Sequence, residues 1–137
     1  MYKVIIIEDD PMVASINKQY VELTSSFHVE ATFKNGILAL QYLQNCTVDL
    51  VILDYYTPQM NGDEFIDQLH AAGMTPAIIM VTSAHDAETV RRLISRGVTD
   101  YLVKPFEYDR FKAALERFAK RQEELKTSAS ASDLGQA

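Results

Sequence analysis

The sequence predicts an α/β fold, a doubly wound (βα)5 sandwich around a five-stranded parallel sheet of order 2-1-3-4-5. Three observations predict it. Short apolar runs rich in β-branched residues recur along the chain. Each is followed by a segment whose apolar residues recur at helical spacing. Most of the runs are continuous rather than alternating, the pattern of strands buried on both faces. Strands separated by helices imply right-handed βαβ units and a sheet covered on both sides.

Tyr2 to Ile7 reads as the first strand. Pro11 suits the first position of a helix, and Val13, Ile16, Tyr20 and Leu23 then mark its apolar face. Phe27 to Phe33 alternates apolar and polar residues and reads as the second strand. Gly36 opens a helical pattern through Leu40 and Leu43, and Val48 to Leu53 is a third strand ending on Asp54. The stretch YYTPQMNG has loop chemistry, with Pro58, Asn61 and Gly62 supplying turns. Phe65, Ile66 and Leu69 mark a helix stopped near Gly73, and Ala77 to Val81 is the fourth strand. Val90, Leu93 and Ile94 mark a helix with Gly97 at its C′ position. Tyr101 to Val103 is the fifth strand, and Phe111, Leu115 and Phe118 line the last helix. The order that joins these units is the flavodoxin-like winding. From Lys126 the composition turns small and polar, so residues 124–137 read as a linker or tail after a domain of residues 1–123.

The chain has 137 residues, 47% hydrophobic and 23% charged, enough apolar material for one buried core. Thirteen basic residues against nineteen acidic ones give a net charge of −6, which disfavours phosphate backbones as partners of this chain. A single cysteine, Cys46, excludes an internal disulfide and a cysteine-rich zinc site, and reads as a buried or partly buried spectator. No apolar run approaches the ~18 residues of a membrane span. The opening MYKVIIIEDD turns acidic too soon for a signal peptide, so a cytoplasmic location is expected.

Ligands of open parallel sheets bind beyond the carboxyl ends of the strands. Those ends carry Glu8-Asp9-Asp10, Asp54, Thr82-Ser83 and Lys104-Pro105. Singly, each has an ordinary reading as a turn former or helix cap. Jointly, several carboxylates, a hydroxyl and a lysine converge on one cleft. Carboxylates crowded together repel, and a hard divalent cation resolves the conflict. Mg²⁺ fits, because it takes one or two carboxylates and keeps waters that a phosphate can replace. With Lys104 it makes a phosphoryl site, and Asp54 is the candidate nucleophile.

IIIEDDP, VILDYYTPQMNG, AIIMVTSA and RGVTDYLVKPF, in that order, resemble the motifs of bacterial response-regulator receiver domains. The resemblance runs from about Tyr2 to about Glu123. It implies that Asp54 is the phosphoacceptor of a phosphoryl group from a sensor histidine kinase. Asp9 and Asp54 would hold Mg²⁺ directly, Tyr56 through its backbone carbonyl and Glu8 through water. Lys104 would contact the phosphoryl group, and a cis bond before Pro105 would aim it. Thr82 and Tyr101 would be the switch pair, biasing a surface of helix four, strand five and helix five that also serves homodimers in the family. Self-phosphorylation and self-dephosphorylation at Asp54 would be the only chemistry, without enzymatic turnover. Glu8 stands where aspartate is commoner, and Tyr55-Tyr56 is a bulky pair after the phosphoacceptor.

The opening and the DYYTPQMNGDEF loop are most similar to regulators of citrate and C4-dicarboxylate response. Those carry a C-terminal DNA-binding domain, so a transcriptional output through a domain outside this chain is expected. The alternative is a stand-alone receiver acting by protein contact. A haloacid-dehalogenase-like phosphatase would need an aspartate where Tyr56 stands, and a flavin module would need a phosphate loop where Glu8-Asp9-Asp10 stands. His28, His70 and His85 share no ligand spacing, although His85 follows Thr82 closely enough to border the cleft. Arg91, Arg92 and Arg96 read as a partner-facing or solvated helix side, and KRQEELK as an exposed extension of the last helix.

Overall fold

The computed structural model describes residues 1–83 and 87–136, so His85 lies outside the described residues. The elements are β1 (Tyr2–Ile7), α1 (Pro11–Leu23), β2 (Phe27–Phe33), α2 (Gly36–Leu43), β3 (Leu50–Asp54), α3 (Gly62–Ala71), β4 (Ala77–Thr82), α4 (Ala87–Ser95), β5 (Asp100–Val103) and α5 (Tyr108–Gln136). The sheet is parallel, in the order β2-β1-β3-β4-β5.

Residue parity sorts the core into two layers, because successive strand side chains point to opposite faces. Val4, Ile6, Leu50, Ile52, Ile79, Val81 and Leu102 pack with Phe111, Leu115 and Phe118 of α5. Ile5, Ile7, Val51, Leu53, Ile78, Met80 and Tyr101 pack with Phe65 and Leu69 of α3 and Leu93 of α4. Register then aligns the strand ends. Ile7 lies beside Leu53, Asp54 beside Val81, and Thr82 beside Val103, so the residues that follow β1, β3 and β5 emerge at one level.

Helix ends obey local chemistry. Asp10 caps α1 by accepting from the Met12 and Val13 amides, with Pro11 opening the helix. Gly73 and Gly97 have φ of 71° and 92°, and each helix before them closes with paired bonds: Gly73 N to His70 O and Met74 N to Leu69 O, then Gly97 N to Ile94 O and Val98 N to Leu93 O. The Lys104–Pro105 peptide is cis.

Three expectations need correction. On α1 the buried face is Ala14, Asn17 and Val21, while Ile16 and Leu23 are exposed. The apolar set Val13, Ile16, Tyr20 and Leu23 straddles that face, and Asn17 hid it from a hydropathy reading. β3 starts at Leu50 rather than Val48: Asp49 still brackets Lys3, its amide donating to Lys3 O at 2.9 Å and its carboxylate accepting from Lys3 N at 2.7 Å. Cys46 is exposed, since it falls beyond the end of α2. The extension of the last helix through KRQEELK is present, and α5 runs on as helix to Gln136 through residues 124–136, which carry Ala, Leu and Lys and no proline.

Two stability predictions arise here. Among the described residues, the buried Oδ1 of Asn17 has no hydrogen-bond partner. Leucine has the same number of side-chain heavy atoms and no group to desolvate. Asn17→Leu is therefore expected to stabilise the fold by about 1 kcal/mol, seen as a Tm several degrees higher in thermal unfolding. A lower Tm would show that Asn17 is satisfied in solution.

Asp100 is buried at the start of β5 and accepts from the Tyr101 amide at 2.8 Å and from Arg110 at 2.9 and 3.3 Å, with Arg117 at 3.5 Å. Burial pushes its carboxyl up, but the Arg110 and Tyr101 hydrogen bonds and the charges of Arg110 and Arg117 outweigh it and hold it below the ordinary value. A depressed folded-state pKa stabilises the fold above the unfolded value and loses that stabilisation as pH falls. Asp100→Asn is expected to cost about 1–3 kcal/mol at pH 7. The difference from the parent should shrink as pH drops below about 4, measured by urea unfolding across pH.

Candidate functional site

The sheet's parity and register bring together the residues that follow the strands. Glu8 and Asp54 continue the even-numbered faces of β1 and β3, and Lys104 continues that of β5. Lys104 Nζ lies 3.0 Å from Glu8 Oε1 and 3.3 Å from Asp54 Oδ2. Glu8 and Asp54 are 3% and 6% exposed, so this charge cluster is screened by little water. Asp9 is exposed, and one carboxylate oxygen from each of Glu8, Asp9 and Asp54 lies within 4.8 Å of the other two.

The electrostatics follow from that crowding. Burial pushes the Glu8 carboxyl up, as does its hydrogen bond with Asp54, against the pull of Lys104 and the Asp10 amide. Burial pulls the Lys104 ammonium down, but its hydrogen bond to Glu8 and the charges of Asp54 and Glu8 outweigh this and raise it. Lys104 is therefore a fixed cation at neutral pH. It compensates only part of three carboxylates, and the all-oxygen donor set fits a hard divalent ion such as Mg²⁺.

Loop geometry holds Asp54 in place. The Tyr56 amide donates to Asp54 Oδ1 at 3.2 Å, and the Tyr56 side chain is exposed. Thr57 donates its hydroxyl to Met60 O at 2.7 Å. Asn61 caps α3 in a reciprocal box with Glu64. At Gly62 a Cβ would stand 2.8 Å from the Tyr55 ring and 3.0 Å from Met80 Cε, so only glycine lets α3 start this close to β3. Thr82 is fully buried at the end of β4, on the same face as Met80. Met80 pairs in register with Tyr101, which is buried in that layer. The structure thus brings Glu8, Asp54 and Lys104 into contact, with an Asp9 carboxylate oxygen within 4.8 Å of those of Glu8 and Asp54, and places Thr82 and Tyr101 on the opposite parity.

A second cluster escaped the sequence reading. Tyr55 donates its hydroxyl to Asp63 Oδ2 at 2.5 Å, and Arg92 donates to the Tyr55 hydroxyl at 3.1 Å and to Asp63 at 2.8 Å. Arg96 bonds Asp63 at 3.1 Å and also Asp67. Burial pushes the Tyr55 hydroxyl up to about 12, helped by its bond to Asp63 and opposed by Arg92. Arg92 and Arg96 thus pair within the chain with Asp63 and Asp67 of α3, while the Arg92 side chain stays 43% exposed. The signal was available, since Asp63 and Asp67 share the four-residue spacing of Arg92 and Arg96.

Among the described residues, no helix is long and apolar enough to cross a membrane. Residues 4–116 match the family model described as the response regulator receiver domain. The chain is 40% identical over 117 residues to a probable C4-dicarboxylate response regulator, DctR, of Priestia megaterium, covering 85% of this chain and 51% of the relative. It is 38% identical over 117 residues to the transcriptional regulatory protein DcuR of Escherichia coli K12, covering 84% and 49%. The chain thus spans about half the length of these curated relatives. The response regulatory domain of protein mrkE from Klebsiella pneumoniae has the same fold, with a TM-score of 0.80 at 24% identity over 89% of this chain and 98% of that one. These matches point to a signalling switch rather than to a catalytic enzyme family. With five parallel strands in the order 2-1-3-4-5 and an acidic, lysine-bearing cleft at their ends, the chain belongs to the receiver domains of two-component response regulators.

Proposed function

We propose that this chain is a phosphorylation-activated switch, accepting a phosphoryl group on Asp54 from a sensor histidine kinase in the cytoplasm. The observation that carries this reading is Lys104 Nζ, 3.3 Å from Asp54 inside a cluster of three carboxylates. An Asp54 oxygen attacks the phosphorus of a phosphoimidazole. The P–N bond breaks, its electron pair stays on the imidazole, which takes up a proton, and an acyl phosphate forms on Asp54. Lys104 faces the oxygens on which charge grows and needs no reorganisation, because Glu8 and Asp54 already hold it. Asp9 and Asp54, the Tyr56 carbonyl and, through water, Glu8 would hold Mg²⁺, which when bound neutralises charge on the transferring group. The chain's own residues supply everything else: they orient the nucleophile, fix the cation and present the Thr82 hydroxyl.

Thr82 and Tyr101 carry the signal outward. Thr82 moves towards the phosphoryl group, and Tyr101 follows on the shared face to bias α4, β5 and α5. That surface is also the candidate for a homodimer. Residues 1–123 are the receiver, and residues 124–137 lead towards an output domain. The names of the relatives support a transcriptional output, with DNA contacted only through that domain.

The test is intact mass after incubation with acetyl phosphate, with and without Mg²⁺. A gain of one phosphoryl group that requires Mg²⁺ is expected. No gain in either condition would sink the proposal.

A further inference from the structure

Tyr55 follows Asp54 directly and is buried. Its amide donates to Val81 O at 2.9 Å, and its carbonyl accepts from Gly62 N at 2.9 Å. The ring is wedged where any Cβ on residue 62 would collide with it, and it meets the Tyr56 ring at 4.8 Å between centroids. The side chain and main chain of residue 55 are therefore held as one body. A displacement of the ring is passed to residues 54–56, which carry the nucleophile and its flanking amide.

The far end of that ring is held by α4. This helix has nine residues and only one buried side chain, Leu93. Val90 packs partly buried against the same core, and ion pairs run from Arg92, and from Arg96 just past the helix end, to Asp63 and Asp67 of α3. Arg92 is 43% exposed, so its pair is open to screening and to competition from anything that docks on α4. Of the groups in the network, the Tyr55 hydroxyl alone sits one residue from Asp54.

The geometry points to Tyr55 as a positioning residue that ties phosphoryl chemistry at Asp54 to the placement of α4, through the hydroxyl shared with Asp63 and Arg92. It rests on the reading of Asp54 as phosphoacceptor. The hydroxyl link runs through Asp63 of α3 and Arg92 of α4, whereas Thr82 and Tyr101 stand on β4 and β5. Coupling of this kind is reciprocal: a partner that draws Arg92 away loosens the Asp54 loop, and a change at Asp54 alters the hold on α4.

A double-mutant cycle with Tyr55→Phe and Arg92→Gln tests it. Each variant is phosphorylated with acetyl phosphate and Mg²⁺, and loss of the phosphoryl group is followed by intact mass. Each single variant is expected to lose it about threefold faster or more, and the double variant no faster than the quicker single one. Arg92→Lys should return the rate towards that of the parent. Additive effects would overturn the proposal, as would unchanged rates in variants whose Tm has fallen, since that pattern marks a purely structural role. If the parent chain gains no phosphoryl group, the reading of Asp54 fails first. If the parent is phosphorylated and the single variants match it, Tyr55 alone is eliminated.

Discussion

Asp54→Ala takes up no phosphoryl group under conditions in which the parent chain is fully modified; that is the expected result, and the geometry says why no neighbour rescues it. Glu8 is the nearest alternative carboxylate, but it is buried, bound by Lys104 at 3.0 Å and by the Asp10 amide at 3.2 Å. Asp9 is exposed and is not among the hydrogen-bond partners of Lys104. The fold should survive, because Lys104 keeps Glu8 as a partner and one repelling carboxylate is gone. Melting within about 1 kcal/mol of the parent, with no mass gain from acetyl phosphate, would confirm both halves. A mass gain in Asp54→Ala would move the phosphoacceptor elsewhere.

Lys104→Met is the second large effect. The phosphorylation rate with acetyl phosphate and Mg²⁺ is expected to fall by about 10²–10³, the usual cost of deleting one preorganised cation or donor from a charge-developing site. The variant should also be less stable, since two buried carboxylates lose their shared counter-ion. Added Mg²⁺ should restore part of that stability, because it neutralises the same carboxylates. Arginine is a poor substitute: its planar fork cannot occupy a point shared by oxygens of two different residues as an ammonium does. Rates are read by intact mass over time. A rate within threefold of the parent would remove Lys104 from the chemistry.

Much of this was legible in the sequence, and particular residues show where legibility ended. Continuous β-branched runs told of strands buried on both faces, and their end residues are the ones that meet. Gly73 and Gly97 marked helix ends correctly because the left-handed conformation there selects glycine locally. The α1 face was misjudged because tertiary packing buries Asn17 and leaves Leu23 outside, and hydropathy cannot see a neighbour. Arg92 and Arg96 looked like a solvated or partner-facing side because their acidic partners sit on another helix, 29 residues away. Tyr55 reads in the sequence only as one of a bulky pair; its hydroxyl gains meaning once α3 and α4 are placed beside it.

The two-layer core has a consequence for fidelity of strand alignment. Both faces of β1, β3 and β4 are apolar, so a strand slipped by one residue would bury almost the same grease and lose little hydrophobic energy. Hydrophobicity alone is therefore a poor proofreader of this sheet. The reading frame is enforced at its two margins, by Asp49 bracketing Lys3 at one and by Lys104 bracketing Glu8 and Asp54 at the other. The polar cluster read here as signalling chemistry thus doubles as a spelling check on the fold, one that the Lys104–Glu8 pair still performs when Asp54 is replaced.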